Sequence, residues 1–240
     1  MVKKPTPKKS ALKTGLTPMP KFTPKPTIEF FDDIEQGSAE WFAVRAGIPT
    51  ASNFSKVMAQ GEGKTRLRYM RELAGEILTG RPTEGFKSKA MDRGNEMEAK
   101  LREQYGRENF VKVRQVGFVK NSGIMKYAVA GASPDGLIDP EGGLEIKSME
   151  PNGLIDMLDR GASMPPEHRA QVQGNMWVCE RKWWDFRLGY TGLEGFPGMP
   201  TYRVRVIRDD HYIEKELRPA VETFCYELKK MIERLKAMGV

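Results

Sequence analysis

The sequence predicts an α+β (mixed α/β) fold in which a central mixed sheet is flanked by helices. Residues 37–106 place their apolar side chains at helical spacing, whereas residues 111–149 alternate with the period of a strand. A further helix, two strands and a closing helix follow. Helices in this order must bury their apolar faces against the sheet. The 240 residues, 39% of them hydrophobic, suffice for one such domain and an appendage.

Two short helices are predicted around a loop at residues 37–58. Ser38 can cap the first helix, because its hydroxyl can accept a hydrogen bond from a free backbone amide. Pro49 ends that helix, and Ser52 is placed to begin the second.

Longer elements follow, bounded mainly by glycine and proline. The predicted helices span residues 65–82, 89–106 (ending at Gly106), 165–180 and 214–238. The predicted strands span residues 111–119, 127–139, 142–149, 183–191 and 202–209. Residues 139–143, Asp-Pro-Glu-Gly-Gly, have turn chemistry and are expected to join two of these strands as a hairpin.

The net charge of +7 resides in the N-terminal tail. Residues 1–26 contain seven lysines, six prolines and no acidic residue, whereas residues 27–240 contain 32 basic and 32 acidic residues. We therefore expect a disordered Lys/Pro-rich tail at 1–26 and one domain at 27–240. The tail is either a contact to phosphate backbones or a solubilising leader. The high pI is thus no evidence for a basic face on the domain.

Composition also excludes several classes of protein. Two cysteines are too few for a disulfide framework or a four-thiolate metal site. No apolar run reaches the length of a transmembrane helix, and the basic N-terminus lacks the apolar segment of a signal peptide. We expect a cytoplasmic protein with reduced cysteines and no membrane partner.

The stretch SPDGLIDPEGGLEIKS, residues 133–148, carries the candidate chemistry. Glu145 and Lys147 are two residues apart within a predicted strand, so both side chains project from the same face. Asp135 ends the preceding strand, and a hairpin can bring it close to both. The other two acids belong to the turn and are expected to be solvated: Asp139 and Glu141.

This trio has two interpretations. Two carboxylates can hold Mg²⁺, and a neighbouring lysine can orient or deprotonate a water and stabilise negative charge on a phosphoryl group. The alternative is a cross-strand salt bridge, which contributes little to stability at a surface. The spacing alone leaves both open, because so short a pattern also occurs by chance.

Four sequence blocks, in order, carry a family resemblance. They are EWFAVRAGIPTAS (40–52), RGNEMEAKLREQYG (93–106), SPDGL with EIK (133–137 and 145–147) and HRAQVQGNMWV (168–178). The sequence resembles the phage-type alkaline exonucleases, which include lambda exonuclease and the YqaJ viral recombinases, within the PD-(D/E)xK nuclease superfamily. The resemblance covers most of the domain but not the tail. It implies a restriction-endonuclease-like core.

The resemblance also implies roles for individual residues. Asp135 and Glu145 would be metal ligands, joined by the backbone carbonyl of Ile146 and by Glu98, with Glu96 as the rival to Glu98. The implied cofactor is Mg²⁺, with Mn²⁺ able to substitute. Two ions per active site are expected, although the sequence does not decide between one and two.

The implied catalytic residues extend beyond the carboxylates. Lys147 would be the catalytic lysine. Gln171 would line the active site near the nucleophilic water, whereas Gln173 points to another side of its helix. His168 either faces the same groove or has a capping or surface role.

A second implied site binds a terminal 5′-phosphate. Arg45 and Ser52 would form it, with Ser133 as a third contributor, because a guanidinium fork and hydroxyls suit phosphate oxygens. Trp41 lies either near this site or in the core, and we favour the core.

The implied function is a Mg²⁺-dependent 5′-to-3′ exonuclease that acts processively on double-stranded DNA ends and leaves 3′ single strands for recombination. The implied partners are DNA ends with a 5′-phosphate, a single-strand annealing protein and two further copies in a homotrimeric ring. A phage or prophage origin and the bacterial host cytoplasm are implied as well. The alternatives are another RecB-like PD-(D/E)xK nuclease and a non-catalytic DNA-end-binding module on the same fold.

Overall fold

Seven strands form two sheets in the part of the chain that the structure, a computed structural model, describes. The described residues are 28–59, 64–83, 89–125, 128–138, 140–149, 151–159, 161, 163–190 and 202–239. The predicted tail at 1–26 and the turn residue Asp139 lie outside them, as does the side chain of Glu96.

The elements alternate along the chain in the order that the sequence predicts. The strands are β1 (Ile28–Phe31), β2 (Phe118–Asn121), β3 (Ala130–Ala132), β4 (Gly136–Ile138), β5 (Gly142–Met149), β6 (Trp183–Tyr190) and β7 (Tyr202–Ile207). The helices are α1 (Ala39–Arg45), α2 (Phe54–Met58), α3 (Lys64–Thr79), α4 (Lys89–Asn109), α5 (Pro151–Asp159), α6 (Arg169–Val178), α7 (Asp210–Tyr212) and α8 (Arg218–Ala237). Of these, β1, α5 and α7 were not predicted. None of the described helices is long and apolar enough to cross a bilayer.

The α+β class is confirmed, but the predicted single sheet is divided in two. One sheet has the order β1-β2-β3, with antiparallel pairs. The other has the order β4-β5-β6-β7, in which β5 and β6 are parallel and the other pairs antiparallel. The predicted strand over 127–139 is interrupted at residues 133–135, where Pro134 has no amide to contribute to a ladder. This interruption separates β3 from β4.

The strand predicted over 111–119 is wrong for its first seven residues. Val111 and Val113 are instead half-buried against the apolar side of α4. Arg114 forms an isolated bridge with Leu137, in which each backbone amide donates to the other's carbonyl oxygen at 2.8 Å. The alternating apolar residues therefore reflect the packing of an irregular segment, and β2 begins only at Phe118.

Two serine predictions have different outcomes. Ser38 caps α1, because its Oγ accepts a hydrogen bond from the Trp41 amide at 3.1 Å. Ser52 does not begin a helix as a cap. It lies inside a 3₁₀ turn, Ala51–Asn53, that is preceded by Thr50 and leads directly into α2.

Helix α4 does not end at Gly106 but continues to Asn109. Phe110 then adopts a left-handed backbone conformation with φ of 53°. The amides of Phe110 and Val111 donate to the carbonyl oxygens of Arg107 and Gly106. This is the pattern of a Schellman cap, formed here without a glycine.

Helix α6 lies in the core between the two sheets and against α2. Almost all of its residues are buried, including the polar Gln173 and Asn175. Gly174 permits this close packing, since a Cβ there would lie 2.5 Å from the ring of Phe54. Strand β5 is therefore covered on one face by α6, and on the other its Leu144 packs with the apolar side chains of α4.

Candidate active site

Asp135 lies in the interruption between β3 and β4 and is 9% exposed. Its Oδ2 accepts a hydrogen bond from the backbone amide of Ile146 at 2.6 Å. The hairpin register, with Gly136 opposite Leu144, brings this turn against β5. Gly136 has no room for a side chain, because a Cβ would lie 2.3 Å from Val113. The hairpin thus fixes the Asp135 carboxylate beside β5.

Glu145, on β5, is only 1% exposed and its carboxylate is held from several sides. Its Oε1 accepts a hydrogen bond from Gln171 at 2.6 Å and lies 2.5 Å from Nζ of Lys147. Its Oε2 accepts from Nδ2 of Asn175 at 3.1 Å. Gln171 and Asn175 are one turn apart on α6 and therefore share a face. Asn175 was not predicted, and its only signal in the sequence is the four-residue spacing from Gln171.

Glu98 reaches the same place from α4. Arg102, one turn further along, forms an ion pair with Oε1 of Glu98. Nε of Arg102 also donates to the backbone carbonyl oxygen of Asp135 at 2.5 Å. Arg102 was not predicted either. The structure therefore brings four predicted residues together, Glu98, Asp135, Glu145 and Lys147.

The charges in this cluster are strongly coupled. Burial raises the pKa of Asp135 well above its ordinary value, and the charges of Glu145 and Glu98 raise it further. Burial also raises the pKa of Glu98, against the lowering effect of Arg102. Burial lowers the pKa of Lys147, but the neighbouring Glu145 and Asp135 outweigh this and the net shift is upward. Lys147 is therefore protonated at neutral pH, and the carboxylates still favour additional positive charge.

The donor set suits a hard divalent cation. Three carboxylates and the Ile146 carbonyl oxygen are the oxygen ligands that Mg²⁺ prefers. Among the described residues, however, no three Asp, Glu, His or Cys side chains already converge closely enough to form a metal site. Glu98 is turned toward Arg102, and Glu145 toward Lys147 and α6.

His168 precedes α6 in a 3₁₀ turn and does not cap the helix with its side chain. Its ring centroid is 5.1 Å from that of Phe186. Burial lowers the pKa of His168, and the charge of Lys147 lowers it further. His168 is therefore mainly neutral at neutral pH, and it lies close enough to Lys147 to be affected by its charge.

A cavity of about 790 Å³ lies between α1 and α3. Gln36 lines it and donates to the carbonyl oxygen of Pro134, the residue before Asp135. Arg45 lines it, with the guanidinium carbon 3.7 Å from the centroid of the Trp41 ring. Burial lowers the pKa of Arg45 to about 10, against the raising effects of Tyr69 and Glu76, so the side chain stays charged. Within the described ranges, the guanidinium of Arg45 donates no hydrogen bond and forms no ion pair.

The two predicted serine partners of Arg45 are linked to different residues of the cavity wall. Oγ of Ser133 accepts a hydrogen bond from Nε1 of Trp41 at 3.1 Å, so Trp41 connects Ser133 to Arg45. Ser52 is linked instead to Thr50, whose Oγ1 is 3.2 Å from Oγ of Ser52 and which lines the cavity. Trp41 is half-buried in the cavity wall, so the preference for a core position was wrong.

Two neighbouring residues lie away from the cluster, as expected. Gln173 bonds to the backbone at the end of β7, donating to Ile207 and accepting from Asp209. Glu141 lies in the turn and forms an ion pair with Lys182.

Comparisons with known proteins agree with this architecture. The family model of the YqaJ-like viral recombinase domain matches residues 40–182. An alkaline exonuclease from Laribacter hongkongensis, LHK-Exo, has a TM-score of 0.73 and 34% identity, covering 84% of this chain and 98% of that chain. Its complex with dAMP gives a TM-score of 0.72 and 33% identity, with coverage of 84% and 98%.

A phage-related exonuclease from Haemophilus somnus is more distant. It has a TM-score of 0.52 and 15% identity, covers 78% of this chain and 96% of that chain, and supports the fold alone. No curated protein matches the sequence significantly.

Proposed function

The chain belongs to the YqaJ-like viral recombinase family, and we propose that it is a Mg²⁺-dependent exonuclease that degrades duplex DNA from 5′-phosphorylated ends. The observation that carries this proposal is the cluster of Asp135, Glu145 and Lys147, which the turn at Ser133 connects to a cavity. Arg45 lines that cavity and forms no ion pair with any of the described residues. The cluster supplies groups for phosphodiester hydrolysis, and the cavity supplies a place for the end of a strand.

The side chains of Glu98, Asp135 and Glu145, with the carbonyl oxygen of Ile146, would hold the metal. Mn²⁺ would substitute for Mg²⁺, and we propose two ions per site. Such ions neutralise charge on the phosphoryl group and lower the pKa of water. The raised pKa of Asp135 supports this assignment, because a cation offsets both the burial of the carboxylate and its repulsion by Glu145 and Glu98. Binding requires the carboxylates to lie closer together than they do in this structure.

Lys147 would act as a charged hydrogen-bond donor. Its pKa is raised, so at neutral pH its ammonium group can orient a water or stabilise negative charge on a phosphoryl oxygen. Gln171 and Asn175 donate hydrogen bonds to the two carboxylate oxygens of Glu145. They would keep Glu145 oriented while the ammonium group of Lys147 acts on the water or the phosphoryl oxygen.

Arg45 and Ser133 would bind the terminal 5′-phosphate. Ser52 would contribute through its contact with Thr50, which lines the same cavity. Ser133 is two residues from Asp135, so this pocket adjoins the hydrolytic cluster. A phosphate held there would leave the next phosphodiester bond at the carboxylates, and each cleavage would release a mononucleotide. The dAMP in the LHK-Exo complex is a molecule of that class.

From the family alone, we propose the wider setting. The enzyme would digest processively in the 5′-to-3′ direction as a ring-shaped homotrimer, and it would deliver 3′ single strands to a single-strand annealing protein. A phage or prophage origin and action in the cytoplasm of a bacterial host belong to the same proposal.

The test is release of nucleotides from a linear duplex that carries 5′-phosphates, with matched 5′-hydroxyl ends and EDTA as controls. We expect Mg²⁺-dependent release of 5′-mononucleotides that is faster from the phosphorylated ends. Binding to DNA ends without any release in Mg²⁺ or Mn²⁺ would favour the non-catalytic module instead. Release that starts from 3′ ends would refute the proposed direction.

A further inference from the structure

Arg102 is held between two elements of the candidate site. Its Nε donates to the backbone carbonyl oxygen of Asp135 at 2.5 Å, and its Nη2 pairs with Oε1 of Glu98. Its side chain is only 13% exposed. One planar guanidinium thus connects helix α4, which carries Glu98, to the turn that carries Asp135.

This link addresses a geometric difficulty of the site. Asp135 and Glu145 belong to one hairpin, so strand pairing fixes their relative positions. Glu98 comes from a separate helix that contacts the hairpin mainly through apolar side chains, and nothing in apolar packing orients a carboxylate. The hydrogen bonds of Arg102 supply that orientation.

The pairing leaves Glu98 available for a further ligand. Arg102 occupies Oε1, and in the described part of the chain Oε2 of Glu98 accepts no hydrogen bond. An arginine suits this position better than a lysine, because its fork donates in two fixed directions at once. A lysine would retain the charge but could not hold both acceptors in this geometry.

We propose that Arg102 is a positioning residue that fixes Glu98 relative to Asp135 and so completes the divalent-metal site. This rests on the proposed function, because it assumes that Glu98 is a metal ligand. Arg102 itself touches neither metal nor DNA in this role. It acts through Glu98, as the groups that hydrogen-bond to metal ligands do in other sites.

The test is Mn²⁺ binding to the DNA-free protein by titration calorimetry, which does not depend on turnover. We expect Arg102→Lys to weaken Mn²⁺ binding about 10- to 100-fold, the usual effect of losing a partner of a metal ligand. Glu98→Gln should weaken it at least as much. The double variant should bind no more weakly than Glu98→Gln alone, because Arg102 then has no carboxylate to position.

The matched control is Arg107→Lys, on the same helix. Arg107 is 71% exposed and its only described carboxylate partner, Glu103, is 3.6 Å away, so Mn²⁺ binding should not change. Melting temperatures in EDTA identify variants that fail to fold. Arg102→Gln, which can still donate to the Asp135 carbonyl oxygen, is the second variant and should also weaken binding.

The outcomes separate this inference from the proposed function. Wild-type affinity in Arg102→Lys, or additive losses in the double variant, would overturn the role of Arg102 and leave the metal site intact. If the wild-type protein bound no Mn²⁺, the metal-dependent function would fail, and the role of Arg102 with it.

Discussion

Nζ of Lys147 lies 2.5 Å from Oε1 of Glu145, so a half-buried ammonium group is paired with a carboxylate that is 1% exposed. Such a pair costs desolvation energy and is weak evidence for stability alone. Its position among Asp135 and Glu98 is better explained by chemistry, because these carboxylates repel one another unless a cation joins them.

Glu145→Gln is expected to reduce nucleotide release by more than about 100-fold. Losing a residue that only hydrogen-bonds to a metal ligand costs up to about 100-fold, and Glu145 would be a ligand itself. The amide keeps the shape of the side chain but loses the charge that would bind a cation. Single-turnover digestion of 5′-phosphorylated duplex measures the effect. Glu141→Gln, in the turn of the same hairpin, is the control and should retain full activity. Equal activity of the two variants would remove Glu145 from the site.

Asp135→Asn should raise the melting temperature of the protein in EDTA at pH 8, where each 1 kcal/mol corresponds to about 2–4 °C at this chain length. The pKa of Asp135 is raised on folding, so its charged form destabilises the fold above the unfolded value of about 3.9. Asparagine is neutral at every pH. Its advantage should therefore be largest at high pH and vanish as the pH falls below about 4.

Melting curves in EDTA at several pH values test the Asp135 prediction. Asp33→Asn, at an exposed position, is the control and should have no pH-dependent effect. An advantage for Asp135→Asn that did not change with pH would mean that its source is not ionisation.

Arg45→Ala should abolish the preference for 5′-phosphorylated over 5′-hydroxyl ends. The guanidinium is charged, lines the cavity and has no acceptor among the described residues, so phosphate would be its first strong partner. Initial rates on the two duplexes measure the preference. Arg68→Ala, whose side chain is 84% exposed, should leave it unchanged. A preference that survives Arg45→Ala would exclude this pocket.

The local part of the site could be predicted from the sequence, because strand geometry places residues two apart on one face. Glu145 and Lys147 follow from that rule alone. The role of the Glu98–Arg102 pair on α4 could not be predicted in this way, because its spacing does not distinguish it from other pairs on the helix. Glu98–Arg102 and Glu103–Arg107 have identical spacing, yet the second pair is exposed and the first lies against the hairpin. Spacing carries no information about burial, which depends on how α4 docks.

Tertiary packing also explains the errors in the fold. Val111 and Val113 alternate like a strand, but they pack against α4, and the segment pairs with β4 only through the single bridge at Arg114. Trp41 is large and apolar, as core residues are. In the structure, however, its indole nitrogen donates a hydrogen bond to Ser133 and its ring packs against the Arg45 guanidinium in the cavity wall.

Asp185→Ala should destabilise the protein by about 2–4 kcal/mol without involving the active site. Asp185 is fully buried and accepts from the Tyr105 hydroxyl at 2.6 Å and from Arg205 at 2.7 and 3.0 Å. Its removal leaves the Tyr105 hydroxyl without this acceptor. The loss stays below that of a fully buried ion pair, because the half-exposed Arg205 can reach water.

Urea denaturation measures the loss in Asp185→Ala. Glu214→Ala breaks an exposed i, i+4 pair with Arg218 and should cost less than about 1 kcal/mol. Similar losses in both variants would contradict the role of the buried network.

Phe110→Gly should stabilise the protein by about 1 kcal/mol, which raises the melting temperature by about 2–4 °C. Phe110 ends α4 with φ of 53°, a conformation in which a Cβ is strained, and its side chain is 96% exposed. Glycine removes the strain and sacrifices no packing. Gly80→Ala is the reciprocal control. Gly80 has φ of 65° and open space around its Cβ position, so alanine should destabilise through the backbone alone. If Phe110→Gly lowered the melting temperature, the ring would have to contribute contacts that its exposure does not indicate.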